Sequence, residues 1–265
     1  KALTETNAVL STSGQLTLTD LDATAATVVA QTNAAGNYGK FTIDAAGNWS
    51  YTTNDAVNQL NAGQVVTEVF QVATSDGGAA AVTVNITGSQ DVATLTSDTK
   101  ALTETNAVLS TSGQLVLADL DATAATVVAQ NNQAGTYGKF TIDAAGQWSY
   151  VSNDALNALN AGQVVTDSFP VATTDGGSAS VTVTITGTND GPVLGGGLLQ
   201  ATVTELPQDD PLANYFAHLR NGSISFTDGD LKDVHSVEIV PAGQSYRGRL
   251  VAAIAKEPNG GDGKV

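Results

Sequence analysis

Apolar and polar residues alternate along much of this chain. Leu16 and Leu18 alternate with Gln15, Thr17 and Thr19, and Val82, Val84 and Ile86 alternate with Thr83, Asn85 and Thr87. Val66, Val69, Phe70 and Val72 follow a less regular version of the same pattern. A period of two puts successive side chains on opposite faces, the mark of a half-buried antiparallel strand. Ser75-Asp76-Gly77-Gly78 separates two such runs and predicts a tight hairpin in which glycine supplies the positive φ. Asp44-Ala45-Ala46-Gly47 predicts a second hairpin, and residues 53–60 predict a short helix capped by Asn54 or Asp55. Strands are expected over residues 2–9, 15–19, 27–31, 40–43, 48–52, 64–74 and 79–87. Roughly seven short strands in a unit of this length predict an all-β, immunoglobulin-like sandwich.

The pattern repeats. The sixteen residues from Lys1 to Leu16 recur unchanged from Lys100 to Leu115, an offset of 99 residues. Tyr38-Gly39-Lys40-Phe41 recurs at Tyr137, and Asp76-Gly77-Gly78 at Asp175. A third, divergent copy is visible where Phe226-Thr227-Asp228-Gly229-Asp230 answers Leu18-Thr19-Asp20-Leu21-Asp22. That period is too long for a solenoid repeat and has the size of an independent domain. The expected units are residues 1–91, residues 92–190, and a partial unit over 191–265. The first lacks the starting strand segment that residues 92–99 supply to the second. The third holds counterparts of only half a repeat, which leaves strand edges and an apolar face to cover. The linkers, Gly88-Ser89-Gln90-Asp91 and Gly187-Thr188-Asn189-Asp190-Gly191-Pro192, are short, so the units should sit end to end.

Charge and composition narrow the function. The chain has 265 residues and a formal net charge of -16, from 26 acidic and 10 basic side chains. Phosphate recognition needs clustered Lys and Arg, so a nucleic-acid partner is excluded. There is no cysteine, which removes disulfides, thiol catalysis and thiolate metal sites together. No run approaches the length of a membrane span. No signal peptide opens the sequence, which reads as the middle piece of a longer chain. His218 and His235 are the only histidines, both in the third unit, and are expected at the surface. No serine–histidine–aspartate set can therefore recur with the repeat, and an enzyme is not expected. Asp20 and Asp22, two apart in one loop, suit a glycosidase pair poorly.

The ordered set LTETNAVLSTSGQLTLTDLDA, the NYGKFTIDAAGNWSY hairpin, the DGG turn and the closing VTVTITGTNDGPV resembles the VCBS repeats of large bacterial secreted adhesins. More distantly it is similar to cadherin domains. The resemblance implies a cadherin-like sandwich in the extender region of an RTX-type adhesin, outside the cell or on its surface. It implies export by a type I system and a part in cell adhesion or biofilm formation. It also implies Ca²⁺ shared between neighbouring units by a first-strand glutamate, a D-x-D loop and an N-D-x-P linker. On these positions Glu5, Asp91, Asp119 and Asp121 meet at the first junction. Glu104, Asn189, Asp190, Asp228 and Asp230 meet at the second, and Asp20 and Asp22 form a half-site. About four converging carboxylates repel unless a hard cation neutralises them. The alternative is that each D-x-D is a solvated turn and each glutamate a surface charge. The first linker departs from the pattern, with Gln90 where the second has Asn189.

The expected partners are the neighbouring repeats, with host or surface glycans or proteins bound through other domains. The competing function is a carbohydrate- or protein-binding module, for which Trp49 and Tyr51 would be the platform. Their position opposite Phe41 and Ile43 favours a core role instead.

Overall fold

A computed structural model of the chain describes residues 1–21, 25–197, 200–202, 204, 207–211, 220–230, 232–240, 249–255 and 262–264. The first unit has seven strands: β1 (Ala2–Thr4), β2 (Ser11–Gln15), β3 (Gln31–Ala35), β4 (Gly39–Ile43), β5 (Asn48–Thr53), β6 (Val65–Ala73) and β7 (Ala79–Thr87). They form two sheets, ordered β1-β7-β6 and β2-β5-β4-β3. The second unit repeats this with β8 (Thr94–Leu95), β9 (Asp98–Thr103), β10 (Ser110–Gln114), β11 (Leu117–Ala118), β12 (Gln130–Ala134), β13 (Gly138–Ile142), β14 (Gln147–Ser152), β15 (Val164–Ala172) and β16 (Ser178–Thr186). Beyond it, β17 (Val193–Gly197), β18 (Ile224–Thr227) and β19 (Asp262–Lys264) make a three-stranded sheet. The fold is all-β, two tandem sandwiches followed by this smaller sheet. Among the described residues no helix is long and apolar enough to cross a membrane.

Several expectations change. The strand expected over residues 15–19 lies instead at Ser11–Gln15, and the one expected over residues 2–9 is cut to Ala2–Thr4. The sandwiches are not wholly antiparallel, because β1 runs parallel to β7 and β9 parallel to β16. That pairing matters later, since it holds the residue after β1 beside the end of β7. The expected helix is a 3-10 turn over Asp55–Gln59, with the Asn54 side chain accepting the Ala56 N–H. The strand expected at 27–31 is reduced to a bridge between Val28 and Thr74, and the true strand starts at Gln31. A bulge lies between Gln31 and Ala34, with Asn33 at a φ of 52°. Asparagine tolerates that left-handed conformation, which β-branched residues avoid.

The core of each sandwich is aromatic. Phe41 stacks on Phe70 at 4.7 Å, and Phe140 on Phe169 at the same distance. Trp49 and Tyr51 are 7% and 0% exposed, and Trp148 and Tyr150 are 2% and 0%. The indole lies over Gly14 or Gly113, where a Cβ would come within 2.8 Å of the ring. The sugar-platform reading therefore fails, because neither ring is available to a ligand. Leu18, expected in the core, is 40% exposed, and Leu16 packs there instead.

Each core also encloses a carboxylate. The Tyr51 hydroxyl donates to Glu68, which also accepts the Tyr38 N–H at 3.0 Å. In the second sandwich Asp167 accepts Tyr150 Oη–H at 2.9 Å and the N–H groups of Thr136 and Tyr137 at 2.8 and 2.9 Å. These bonds tie the β3–β4 and β12–β13 hairpins to the opposite sheet. Burial, then the neighbouring acid, pushes both tyrosine hydroxyls well above their ordinary range.

Trp148→Ala should cost about 3–5 kcal/mol, the usual range for deleting a large buried ring. Denaturant unfolding of the variant measures it. In the parent chain, iodide should quench Trp148 fluorescence only weakly.

Candidate metal centre at the junctions

The site begins with β1. The Glu5 N–H donates to Thr87 O at 2.7 Å, one step beyond the β1–β7 ladder, so the parallel pairing fixes Glu5 beside the linker. Glu5 is 1% exposed. Its Oε2 accepts Ser89 N–H at 3.2 Å and Ser89 Oγ–H at 2.6 Å. The D-x-D loop of the next unit comes to meet it. Asp121 Oδ2 accepts the Asp91 N–H at 3.2 Å, and the Gln90 amide also donates to that oxygen. Asp119 holds its own loop by accepting the N–H groups of Asp121 and Ala125, at 3.1 and 2.5 Å.

The second junction is built the same way. Glu104 accepts Thr188 N–H and Oγ1–H at 3.2 and 2.8 Å. Asp230 accepts the Asp190 N–H at 2.8 Å, and Asp228 accepts the Asp230 N–H at 2.9 Å. The Asn189 amide donates to Asp190 O at 3.0 Å. Asp20 makes the corresponding local bond, accepting Ala26 N–H at 2.7 Å. Asp22 lies outside the described residues.

Each junction is also locked by contacts the sequence did not single out. Asn61, next to the 3-10 turn, accepts the Thr123 N–H of the following unit at 2.8 Å, and Gln59 O accepts the Ala122 N–H at 3.1 Å. At the second junction Asn160 accepts the Lys232 N–H at 2.8 Å. Asn7 and Asn106 lie beside Asp91 and Asp190 and favour their charged carboxylates. All four asparagines sit in nearly identical repeats, where nothing distinguishes them from their neighbours.

The electrostatics are unbalanced. Glu5, Asp91 and Asp121 are at most 6% exposed. No Lys or Arg among the described residues forms an ion pair with them or with Asp119. Glu5 Oε1, Asp91 Oδ2 and Asp121 Oδ1 are buried and accept no hydrogen bond, as are Glu104 Oε1 and Asp230 Oδ1. Burial raises the Asp91 carboxyl above its ordinary value, helped by the charges of Glu5 and Asp121, against the Asn7 hydrogen bond. Asp190 is raised by burial and then by Glu104 and Asp230. Burial raises Asp230 as well.

In the third unit Asp228, Asp230 and Asp233 bring ligand atoms within 4.8 Å of one another. Asp233 was missed because its counterparts, Ala25 and Ala124, carry no acid. His235, expected at the surface, is instead tucked against Asp228, with Nε2 at 2.7 Å and its ring edge on Phe226. Phe226 gives that imidazole an apolar wall. His218 lies outside the described residues. The oxygen-only donor set and the orphaned buried carboxylates at the linkers fit a hard divalent cation.

Residues 1–88 and 90–188 match the family model described as bacterial cadherin-like domain. The chain belongs to that family. Its two cadherin-like domains are tandem modules of the structural and adhesive type. Among solved structures, the chain is similar to Protocadherin Gamma B2 extracellular cadherin domains 1-5 (13% identity, 87% of this chain and 45% of that one, TM-score 0.36). It is similar to human CDH23 EC21-23 (13% identity, 74% and 76%, TM-score 0.41) and to the Protocadherin GammaB4 extracellular domain (10% identity, 99% and 41%, TM-score 0.40). The chain thus spans less than half of two of these three. None of the curated proteins matches it.

The raised carboxyls set a pH dependence. A carboxyl that holds its proton more tightly when folded supports stability below its unfolded value of 3.8 and loses that support as pH rises through the folded value. In chelator, these raised carboxyls should make the cadherin-like domains more stable as pH falls from neutral into the acid range. Excess calcium should flatten or reverse the trend. Thermal midpoints at constant ionic strength measure both.

Proposed function

We propose that this chain is an extender segment of a bacterial cell-surface or secreted adhesin, stiffened by calcium at its interdomain linkers. The observation that carries the reading is the set of buried, unpartnered carboxylate oxygens where one unit meets the next. Glu5, Asp91, Asp119 and Asp121 would hold the ion at the first junction. Glu104, Asn189, Asp190, Asp228 and Asp230 would hold it at the second, and Asp20 with Asp22 would serve as a half-site for a preceding unit. The ion would supply the positive charge that these carboxylates lack. The protein supplies the rest, with backbone N–H groups orienting the D-x-D loops and asparagines docking them. The near-identity of the first two units also favours a spacer, since length grows with each copy while a binding pocket gains little from duplication.

Extracellular modules of this kind bind calcium at about 10⁻⁴–10⁻³ M. Such sites fill outside a cell and stay empty in the cytosol. An exported adhesin would pass through a type I system flexible and stiffen afterwards, in support of adhesion or biofilm formation. A sugar- or protein-binding role for Trp49 and Tyr51 is not favoured, because both rings are buried.

Small-angle scattering at millimolar calcium should report a longer, narrower distribution of dimensions than in chelator. Asp119→Ala with Asp121→Ala should remove the first-junction share of that difference and leave each sandwich folded by circular dichroism. Both amides donate to the linker backbone, Gln90 to Asp91 O and Asn189 to Asp190 O at 3.0 Å each, but the longer Gln90 side chain also donates to Asp121 Oδ2 and so occupies a carboxylate oxygen. Gln90→Asn should therefore tighten calcium binding at the first junction, read by calorimetry. Identical profiles with and without calcium would leave only a passive spacer.

A further inference from the structure

After each 3-10 turn the chain makes a second, tight turn, Asn61-Ala62-Gly63-Gln64 in the first sandwich and Asn160-Ala161-Gly162-Gln163 in the second. The Gln64 N–H closes it on Asn61 O at 2.9 Å, and the Gln163 N–H closes on Asn160 O at the same distance. Gly63 and Gly162 both have a φ of 74°, the left-handed value that the third position of such a turn demands. The turn is tied to the start of the linker. Gly63 N–H donates to Gly88 O at 2.9 Å, and Gly88 N–H to Gln64 O at 2.8 Å. Gly162, Gly187 and Gln163 repeat both bonds at the same distances. Glycine at position 88 permits this approach, because a Cβ there would stand 2.5 Å from Asn61 O.

The glutamine aims the asparagine side chain. Gln64 Oε1 accepts Asn61 N–H at 3.2 Å and Asn61 Nδ2–H at 3.3 Å. Gln163 Oε1 accepts the same groups of Asn160 at 3.3 and 2.8 Å. With its amino group turned back on the glutamine, each asparagine presents its oxygen to the following unit. That oxygen accepts the Thr123 N–H at the first junction and the Lys232 N–H at the second, both at 2.8 Å. Thr123 lies two residues after Asp121, and Lys232 two after Asp230, so the same backbone position of the D-x-D loop is met each time. Gln59 O adds the Ala122 N–H at 3.1 Å at the first junction. At the second, Gly229 lies so near Asn157 O that a Cβ would come within 2.4 Å of it. Threonine at one docked position and lysine at the other, both exposed, leave only the loop backbone in common.

We propose that the Asn-Ala-Gly-Gln turn is a docking site for the backbone of the following unit's D-x-D loop, a pivot between units that works without a cation. Its acceptors are an asparagine oxygen and a backbone carbonyl, and its donors are backbone N–H groups, so no carboxylate takes part. Gln64 and Gln163 are its positioning residues. Because it reads backbone, the turn accepts the divergent third unit as readily as the near-copy that precedes it. The docked amides directly follow Asp121 and Asp230, so the turn also holds one side of each acidic cluster. With no cation present, neighbouring units would rotate about this contact and would not swing on the whole linker.

The test is amide hydrogen exchange, read by NMR on the full 265-residue chain in chelator. The Thr123 and Lys232 amides should exchange about tenfold slower than open-loop amides, the upper end of what one hydrogen bond contributes. Asn61→Ala should remove the slowing at Thr123 and spare Lys232, and Asn160→Ala should do the reverse. Gln64→Leu leaves the docking oxygen in place but no longer aims it, and should also free Thr123. Gln64→Glu keeps an accepting oxygen and should preserve the slowing. The amides of β7 and β16 should hold their protection throughout; should Asn61→Ala loosen β7, the two Gln64 variants decide. A chain whose scattering ignores calcium would still show the slowing, so this proposal and the calcium reading fail separately. Free exchange at Thr123 and Lys232 in the parent chain, or slowing that survives both asparagine substitutions, would overturn the proposal. Equal exchange at Thr123 in Gln64→Leu and Gln64→Glu would overturn the positioning role of Gln64.

Discussion

A buried carboxylate must be given hydrogen bonds or a positive charge, and this chain handles that demand in two ways. Inside each sandwich the acid is satisfied completely. Glu68 and Asp167 accept a tyrosine hydroxyl and backbone N–H groups, and neither has a buried oxygen without a partner. At the junctions the acids are equally buried and left incomplete. Glu5 and Glu104 use one oxygen on the linker and keep the other bare. A fold able to finish one buried carboxylate and not another, twice at equivalent positions, has not failed by accident of packing. Leaving such an oxygen unpaired costs on the order of 1–3 kcal/mol, more when it is charged. The junctions therefore call for something from outside the chain, and an all-oxygen donor set calls for a hard cation.

The parts of this arrangement that follow local periodicity were legible in the sequence. Val82, Val84 and Ile86 alternate because one face of β7 packs on the core, and all three are buried. Trp49 and Tyr51 lie two apart and share that inner face. The repeat announces itself because Lys1 and Lys100 open identical runs. Leu18 misled because its alternation with Leu16 is genuine, but the strand that would cover it is present only over Leu117. What pattern reasoning missed is carried by partners far apart in sequence. Tyr51 and Glu68 are 17 residues apart, and Asn61 and Thr123 are 62 apart. Neither pair leaves a local signature. Near-identical repeats deepen the problem, because a residue kept for a junction looks no different from one kept by duplication. Asp233 was hidden for the opposite reason, since the earlier units offer no acid there for comparison.

The parallel first strand is the device that connects core to junction. Antiparallel pairing with β7 would have carried Glu5 to the opposite pole, where β7 begins. Because β1 runs beside β7 in the same direction, both end together, and Glu5 is delivered to the linker that leaves β7. The same geometry is copied by β9 and β16, so Glu104 meets Thr188. One ladder thus sets both the sandwich edge and the position of the acid.

The linker then performs two tasks within a few residues. Asp91 joins the acidic cluster, and Ala93, Thr94 and Leu95, immediately after it, are clamped to the second sandwich by Asp175 and β11. Seating the strand therefore fixes the backbone on one side of Asp91, while Ser89, bonded to Glu5, fixes it on the other. A residue held from both sides has little freedom to move away from its charged neighbours. The strand's pairing thus helps hold mutually repelling carboxylates together through the fold itself. The consequence is an order of dependence: the seated strand comes first, and the acidic cluster is held in place by it.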